Sequence, residues 1–295
     1  MGRRGGPHLG PDGLVVVDKP AGWTSHDVVA KSRGLLGTRK VGHAGTLDPD
    51  ATGVLLLGVG RATKLLRFLS PLGKAYVGEM VLGTETSTLD SSGEVTATYD
   101  MAGVTLADAQ AAAVGLTGDI LQVPPMVSAL KVGGKRLHQL AREGIDVERE
   151  ARPVTVSRFD IAATADPMVL AASVSCSSGT YVRTLAADLG HALGGGAHLR
   201  NLRRTSIGSF TLAGAHPLES LEILPPAAAV QHLPAVTADA ELAVAIGFGK
   251  VLPVEALPSA EGDGPWAVLD EHGTLLAVYQ RHKGDHAKPT LVIPT

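Results

Sequence analysis

Glycine and proline, 36 and 18 of the 295 residues, cut this chain into short pieces and limit what it can fold into. Apolar stretches are brief. Leu14 to Val17 stops at Asp18-Lys19, and the best later run, Val54 to Val59, contains Gly58 and ends near Arg61. A spanning helix needs about 20 apolar residues and the centre of an export signal roughly 7–15. The sequence therefore predicts neither membrane association nor export, and a cytoplasmic protein is expected. Apolar residues still make up 44% against 19% charged, which suffices for a sizeable core and excludes wholesale disorder. The lone cysteine, Cys176, rules out an intramolecular disulfide and a Cys-rich zinc site.

Residues 1–12 read as a flexible leader, followed by a strand over 13–17 and a turn at Lys19-Pro20-Ala21-Gly22. Ser25 is a plausible N-cap for a helix carrying Val28, Val29, Leu35 and Leu36. Residues 37–49 lack a sustained period and read as a loop. The pattern then predicts a strand over 54–59, a helix over 62–69, a strand over 75–82 and a helix from Thr105 to before Gly118. A short helix over 135–142, strands over 154–160 and 169–176, and a helix over 181–193 complete the larger part. Strands and helices without a βαβ rhythm favour an α+β fold with a mixed, mainly antiparallel sheet. Pro225-Pro226-Ala227-Ala228-Ala229 reads as a linker. We place the main domain at 13–233 and a small β-rich module at 234–295. Residues 1–233 carry a net charge of +1 and residues 234–295 one of −4.

The densest polar constellation is Gly42-His43-Ala44-Gly45-Thr46-Leu47-Asp48-Pro49-Asp50-Ala51-Thr52-Gly53. Proline after Asp48 keeps that residue out of the helical region and fixes its carboxylate on a turn. Taken alone, this is an Asp-Pro turn whose carboxylate caps nearby N–H groups. Tyr76, on an alternating strand with Gly78, Met80 and Leu82, reads on pattern alone as core.

The whole string Gly42-His43-x-Gly45-Thr46-Leu47-Asp48-Pro49-x-Ala51-Thr52-Gly53-Val54-Leu55 resembles the catalytic-aspartate motif of the TruB family of tRNA pseudouridine synthases. Five further segments agree in order: Val17-Asp18-Lys19-Pro20-x-Gly22, Lys74-Ala75-Tyr76, Val123 to Lys131, Ser178 to Thr184, and Gly196 to Arg204. The likeness is collinear over about residues 13–225. It implies the pseudouridine synthase fold and isomerisation of a uridine, at T-loop position 55, inside tRNA. No cofactor and no metal would be required. Asp48 would be the catalytic group, either adding to C1′ or deprotonating C2′. Arg183 would be its charged partner, favouring the ionised carboxylate. Tyr76 would lie against the target base, as a candidate proton acceptor at C5, and His43 would fill the space that the everted base leaves. Tyr181 and Leu202 would help bind the base, and Lys19 and Lys64 would meet phosphate or support the active-site loop. The C-terminal module stands where bacterial relatives carry a PUA-like RNA-binding domain. Where the family commonly shows D-T-x-D-x-x-G, this chain has Ser87-Thr88-Leu89-Asp90-Ser91-Ser92-Gly93, so the first acid is absent and the segment stays outside the expected catalytic set.

A uridine in a folded T-arm hides C1′ and C5, so base flipping against an aromatic or apolar wall is expected. Basic clusters at Lys31, Arg33, Arg39 and Lys40, at Lys131, Lys135 and Arg136, and at Arg200, Arg203 and Arg204 form a candidate phosphate-binding footprint. A monomer without an obligatory protein partner and with a secondary tRNA-folding role is expected. Rival classes fare worse. Gly53-x-x-x-x-Gly58 lacks the Lys-Ser/Thr of a phosphate loop, no H-E-x-x-H occurs, and Asp48 with Asp50 does not make a glycosidase pair. An RNA chaperone without catalysis is the stronger alternative, separable by Asp48→Asn.

Overall fold

A computed structural model describes residues 10–128 and 130–293. The strands are β1 (Gly13–Lys19), β2 (Val41–Ala44), β3 (Thr52–Val59), β4 (Lys74–Leu82), β5 (Thr84–Thr86), β6 (Val95–Thr98), β7 (Gly118–Gln122), β8 (Lys131–Val132), β9 (Lys135–Arg136), β10 (Arg152–Ala163), β11 (Val169–Cys176), β12 (Ala197–Ile207), β13 (Phe210–Thr211), β14 (Ala235–Thr237), β15 (Leu252–Pro253), β16 (Trp266–Leu269), β17 (Leu275–Arg281) and β18 (His286–Val292). The helices are α1 (Ser25–Leu35), α2 (Leu66–Leu69), α3 (Leu106–Gly115), α4 (Leu137–Arg142), α5 (Val182–Ala192) and α6 (Ala240–Gly247).

The fold is α+β. Nine strands make the main sheet, in the order β1-β3-β12-β4-β11-β10-β7, with β2 on β3 and β13 on β12. Its pairings are antiparallel except where β12 meets β3. A second, five-stranded sheet, β14-β16-β17-β18-β15, carries α6.

Strands β1 and β3 are continuously apolar over residues 14–17 and 54–57 because both of their faces are covered there. Val15, Val17, Leu55 and Leu57 pack with Val28 and Val29 of α1. Leu14, Val16, Val54 and Leu56 face the other way, into a core shared with Ala267, Leu275, Val278 and Leu291 of the second sheet. A third core lies between α3, α5 and the β4, β10 and β11 strands, around Met80, Phe159, Leu185 and Leu189.

Several local expectations need correction. Thr24, not Ser25, is the N-cap of α1, exchanging hydrogen bonds with Asp27 in a capping box. Ser25 instead turns inward, its hydroxyl bonded to the backbone of Leu47. The expected loop over 37–49 contains β2, which forms because β3 offers it a free edge despite the glycines. The helix expected over 62–69 is mostly a 3₁₀ turn, Gly60–Leu65, with only α2 regular. Of the expected leader, residues 1–9 lie outside the described part, and Asp12 at its end is tied to Arg61. The Pro-Pro-Ala segment is no loose linker. Pro226–Val230 forms a 3₁₀ turn whose Ala229 and Val230 are buried in the shared core. The long strand β12 was not expected at all: its Arg- and Asn-rich middle hides the period-2 pattern.

Candidate active site

The turn carrying Asp48 is fixed from behind by β1 and α1. The Lys19 side chain is wholly buried, and its Nζ donates to the carbonyls of Pro20 (2.9 Å), Trp23 (2.6 Å) and Pro49 (2.8 Å). Three acceptors match the three donors of an ammonium group. Burial pulls the Lys19 pKa down to about 8, against the opposing pull of Asp50 and Asp48. Lys19 thus supports the loop and has no proton left for a phosphate. Beside it, Ser25 holds Leu47, so both flanks of Asp48 are pinned.

Gly53 closes the same turn. Its φ is +101°, and a Cβ there would stand 2.2 Å from the carbonyl oxygen of Arg204, its partner in the parallel β12–β3 pairing. Only glycine permits that approach.

Arg183, one residue into α5, faces the turn. Its Nε lies 2.9 Å from Asp48 Oδ2 and its Nη2 3.3 Å from Oδ1, a bidentate fork. The guanidinium is itself fixed: Nη1 donates to Thr88 O and Nη2 to Val127 O, and Nε lies 3.5 Å from Asp90 Oδ2. Arg183 is only 3% exposed, while the Asp48 side chain is 42% exposed and open to a ligand. Arg183 favours the ionised carboxylate, yet its pull is not the largest effect on Asp48. The carboxyl is shifted above the usual aspartate range, first because it is partly withdrawn from water; Arg183 opposes the shift and Asp90 adds to it.

In front of Asp48 lies a chamber of about 280 Å³, lined among others by Lys74, Tyr76, Tyr181, Arg183, Leu202 and Arg204. Tyr76 belongs at once to the core between sheet and helices and to this wall. Burial raises its pKa against the opposing pull of the nearby Arg204 guanidinium. Tyr181 caps α5, its backbone held on both sides by Gln122. A second hollow of about 140 Å³, with Asp50, Asp90 and Arg200 at its rim, shares Asp48, Arg183 and Leu202 with the first.

His43 stands apart from both chambers, on β2. Its ring meets His26 edge-on at 5.2 Å, and its Nδ1 is buried without a hydrogen-bond partner. Burial first, then His26 and Arg204, lower its pKa to about 4, so the ring is neutral. Lys64 is exposed and lines neither chamber. Among the described residues, no group of three or more His, Cys, Asp or Glu side chains is placed to hold a metal ion.

The sequence reading missed Asp90, Arg204, Lys74 and Gln122. Asp90 was legible, since the D-x-x-G half of its motif is intact in Asp90-Ser91-Ser92-Gly93. Arg204 was taken for a phosphate-binding cation, yet it is 1% exposed, and it donates to Val54 O and Gly45 O. Arg200 and Arg203 in the same cluster pair with Glu79 and Asp18 but keep part of their side chains exposed. The cluster at Lys31, Arg33, Arg39 and Lys40 remains exposed. In that at 131–136, the Lys131 and Arg136 side chains lie outside the described set.

Residues 33–182 match the N-terminal domain of the TruB family pseudouridylate synthases, and residues 183–232 match the tRNA pseudouridylate synthase B C-terminal domain. The chain belongs to the TruB family of tRNA pseudouridine synthases. Its relatives in that family include proteins named tRNA pseudouridine synthase B from Streptomyces coelicolor, 49% identical over 94% of this chain and 96% of the relative, and from Nocardia farcinica, 47% identical over 99% and 98%. Among solved structures, a Cbf5-Nop10-Gar1 complex superposes at a TM-score of 0.74 with 26% identity, covering 96% of this chain and 85% of the other. The archaeal box H/ACA sRNP Nop10-Cbf5 complex gives 0.71, also at 26%. In this TruB-family chain the aspartate–arginine fork is the centre around which the other wall residues gather.

Proposed function

We propose that this enzyme converts the T-loop uridine at position 55 of tRNA, with Asp48 as the group that starts the exchange. Isomerisation of uridine to pseudouridine in tRNA is the reaction of the enzyme. One observation carries the assignment of Asp48: its carboxylate, held bidentately by a buried Arg183, opens onto a chamber walled by Tyr76, Tyr181 and Leu202. That chamber suits one flat base with an aromatic wall.

The reaction conserves every atom. The C1′–N1 bond breaks, the uracil turns, C5 bonds to C1′, and the proton on C5 leaves while N1 gains one. Asp48 begins this either by adding to C1′ or by taking the C2′ proton, and both routes need the carboxylate ionised. Tyr76, buried in the wall beside Arg204, stacks on the base or receives the C5 proton. Tyr181 and Leu202 bound the ring, and His43 takes the place of the everted base in the loop. Lys19 supports the catalytic turn; Lys64, on the outer surface, serves phosphate contact. No cofactor or metal enters any of these steps.

Residues 13–233 form the catalytic domain in this reading, and 234–295 a PUA-like module. The protein acts in the cytoplasm, where the lone, buried Cys176 stays a free thiol, as a monomer without an obligatory protein partner. A secondary role in refolding the tRNA elbow follows from gripping an opened T-arm. Incubation with an unmodified tRNA transcript, without added metal or cofactor, followed by pseudouridine mapping tests the reading. Modification at 55 is expected. Modification elsewhere, a strict metal requirement, or full activity of Asp48→Asn would each overturn a named part of it.

A further inference from the structure

The two chamber residues on β12, Leu202 and Arg204, face the reaction only because that strand is out of step. Along its pairing with β4, Leu199 stands opposite Met80 and Arg200 opposite Glu79; Arg203 then stands opposite Val77 and Arg204 opposite Tyr76. Asn201 and Leu202 together therefore oppose the single residue Gly78, a β-bulge. Side chains alternate across a strand, so a regular continuation would put Leu202 and Arg204 on the same face as Arg200, away from Tyr76. The extra residue reverses the alternation. Leu199 and Arg204 end up buried at 2% and 1% exposure, on the side of Met80 and Tyr76, while Arg200 lies outside.

The bulge is built and fastened at one point. Asn201 takes φ +53°, a conformation that asparagine tolerates and branched residues do not. On the outer face, one carboxylate oxygen of Glu79 accepts from Asn201 Nδ2 at 3.0 Å and from Arg200 Nε at 2.7 Å. Gly78 lies directly beneath the bulge, where even a Cβ would meet the Cα of Leu202 at an ordinary contact distance of 3.5 Å.

We infer that Glu79 and Asn201 are positioning residues: a staple on the far side of the sheet that holds the β12 bulge and so aims Leu202 and Arg204 at the uracil pocket. The inference rests on the function proposed above. Neither residue touches the substrate chamber. The staple therefore governs the rate at which bound uridine reacts, and leaves overall RNA affinity almost untouched.

Single-turnover kinetics with enzyme in excess over tRNA separate positioning from stability, because loss of folded molecules lowers the amplitude whereas misaimed side chains lower the rate constant. Asn201→Val is expected to slow the rate constant by about tenfold or more, while Asn201→Gly, which keeps the backbone conformation but loses the Nδ2 bond to Glu79, is expected to slow it by only about threefold. Glu79→Ala is expected to slow it by about threefold, the scale of a half-exposed ion pair, with Glu79→Gln restoring most of the loss by keeping the acceptor. Unchanged rate constants in Asn201→Val and Glu79→Ala would overturn the inference. So would losses confined to amplitude, or a Glu79→Gln variant as slow as Glu79→Ala. Pseudouridine formation by the unsubstituted enzyme in the same reactions reports separately on the proposed function.

Discussion

Asp48 occupies an electrostatic position that works against its own ionisation. Partial withdrawal from water and Asp90 push its pKa up, and Arg183 pulls it back only in part. In the proposed reaction Asp48 acts as the anion, so the acid limb of kcat is expected to inflect above the usual aspartate range; a pH–rate profile of the single-turnover step checks this. The sign for stability is the reverse. A carboxyl whose pKa is raised by folding stabilises the fold at low pH, and that contribution is lost as pH rises through the folded value. Ionised Asp48 is thus a burden at neutral pH. Asp48→Asn is expected to abolish turnover, by about 10³-fold or more, while Tm at pH 7.5 holds or rises and tRNA binding persists. Arg183 keeps Asp90, Thr88 and Val127 as partners in that variant. Lys19→Met should remove all three carbonyl contacts and lower kcat with little change in tRNA affinity, measured as a split between kcat and KM. At this scale the sequence was informative wherever a motif is contiguous: Asp48, Tyr76 and Arg183 could be read off. Gln122 could not, because its importance lies in the distant backbone of Tyr181 that it holds; Lys74 bonds only the nearby carbonyls of Ser70 and Leu72, and the fold alone brings it to the chamber wall.

At the scale of elements, strands covered on both faces or alternating cleanly were legible, and β12 was not. Its sequence, Ala197-His198-Leu199-Arg200-Asn201-Leu202-Arg203-Arg204-Thr205-Ser206-Ile207, reads as irregular because the period changes phase at the bulge. A second register shift between Arg204 and Ser206 compounds this. The polar residues look solvated until their partners on other strands are known. Capping was misassigned by one residue for a related reason: Thr24 and Ser25 are both good caps, and only the contact with Leu47 shows which one faces inward. The parallel β12–β3 pairing depends on Gly53. Gly53→Ala is expected to cost about 2–4 kcal/mol, combining a forbidden backbone conformation with a clash on Arg204, and urea denaturation midpoints measure it. A Gly53→Ala protein as stable as the unsubstituted one would mean that β12 and β3 do not lie so close.

On the scale of the whole molecule, the charge pattern and the shared core matter most. The exposed cations at Lys31, Arg33, Arg39 and Lys40 lie on and after α1, whose first turn is tied to the catalytic loop through Ser25. Affinity for tRNA is expected to fall steeply with salt, and replacing Arg39 by Gln should reduce the slope of log K against log[salt] by about one. A flat titration would remove this surface from RNA binding. Composition suggested a detachable C-terminal module on a linker, because Pro-Pro-Ala-Ala-Ala has the residues of a spacer; burial of Ala229 and Val230 is a tertiary fact that composition does not carry. Truncation after residue 233 is expected to lower Tm and solubility sharply, since it uncovers Leu14, Val54 and Leu56, and thermal unfolding of the shortened chain tests it. Leu14 and Val16, on β1, share one core with Leu291 and Ile293 of the second sheet. That core therefore closes only when segments far apart along the chain meet, a step intrinsically slower than the forming of a local helix or hairpin.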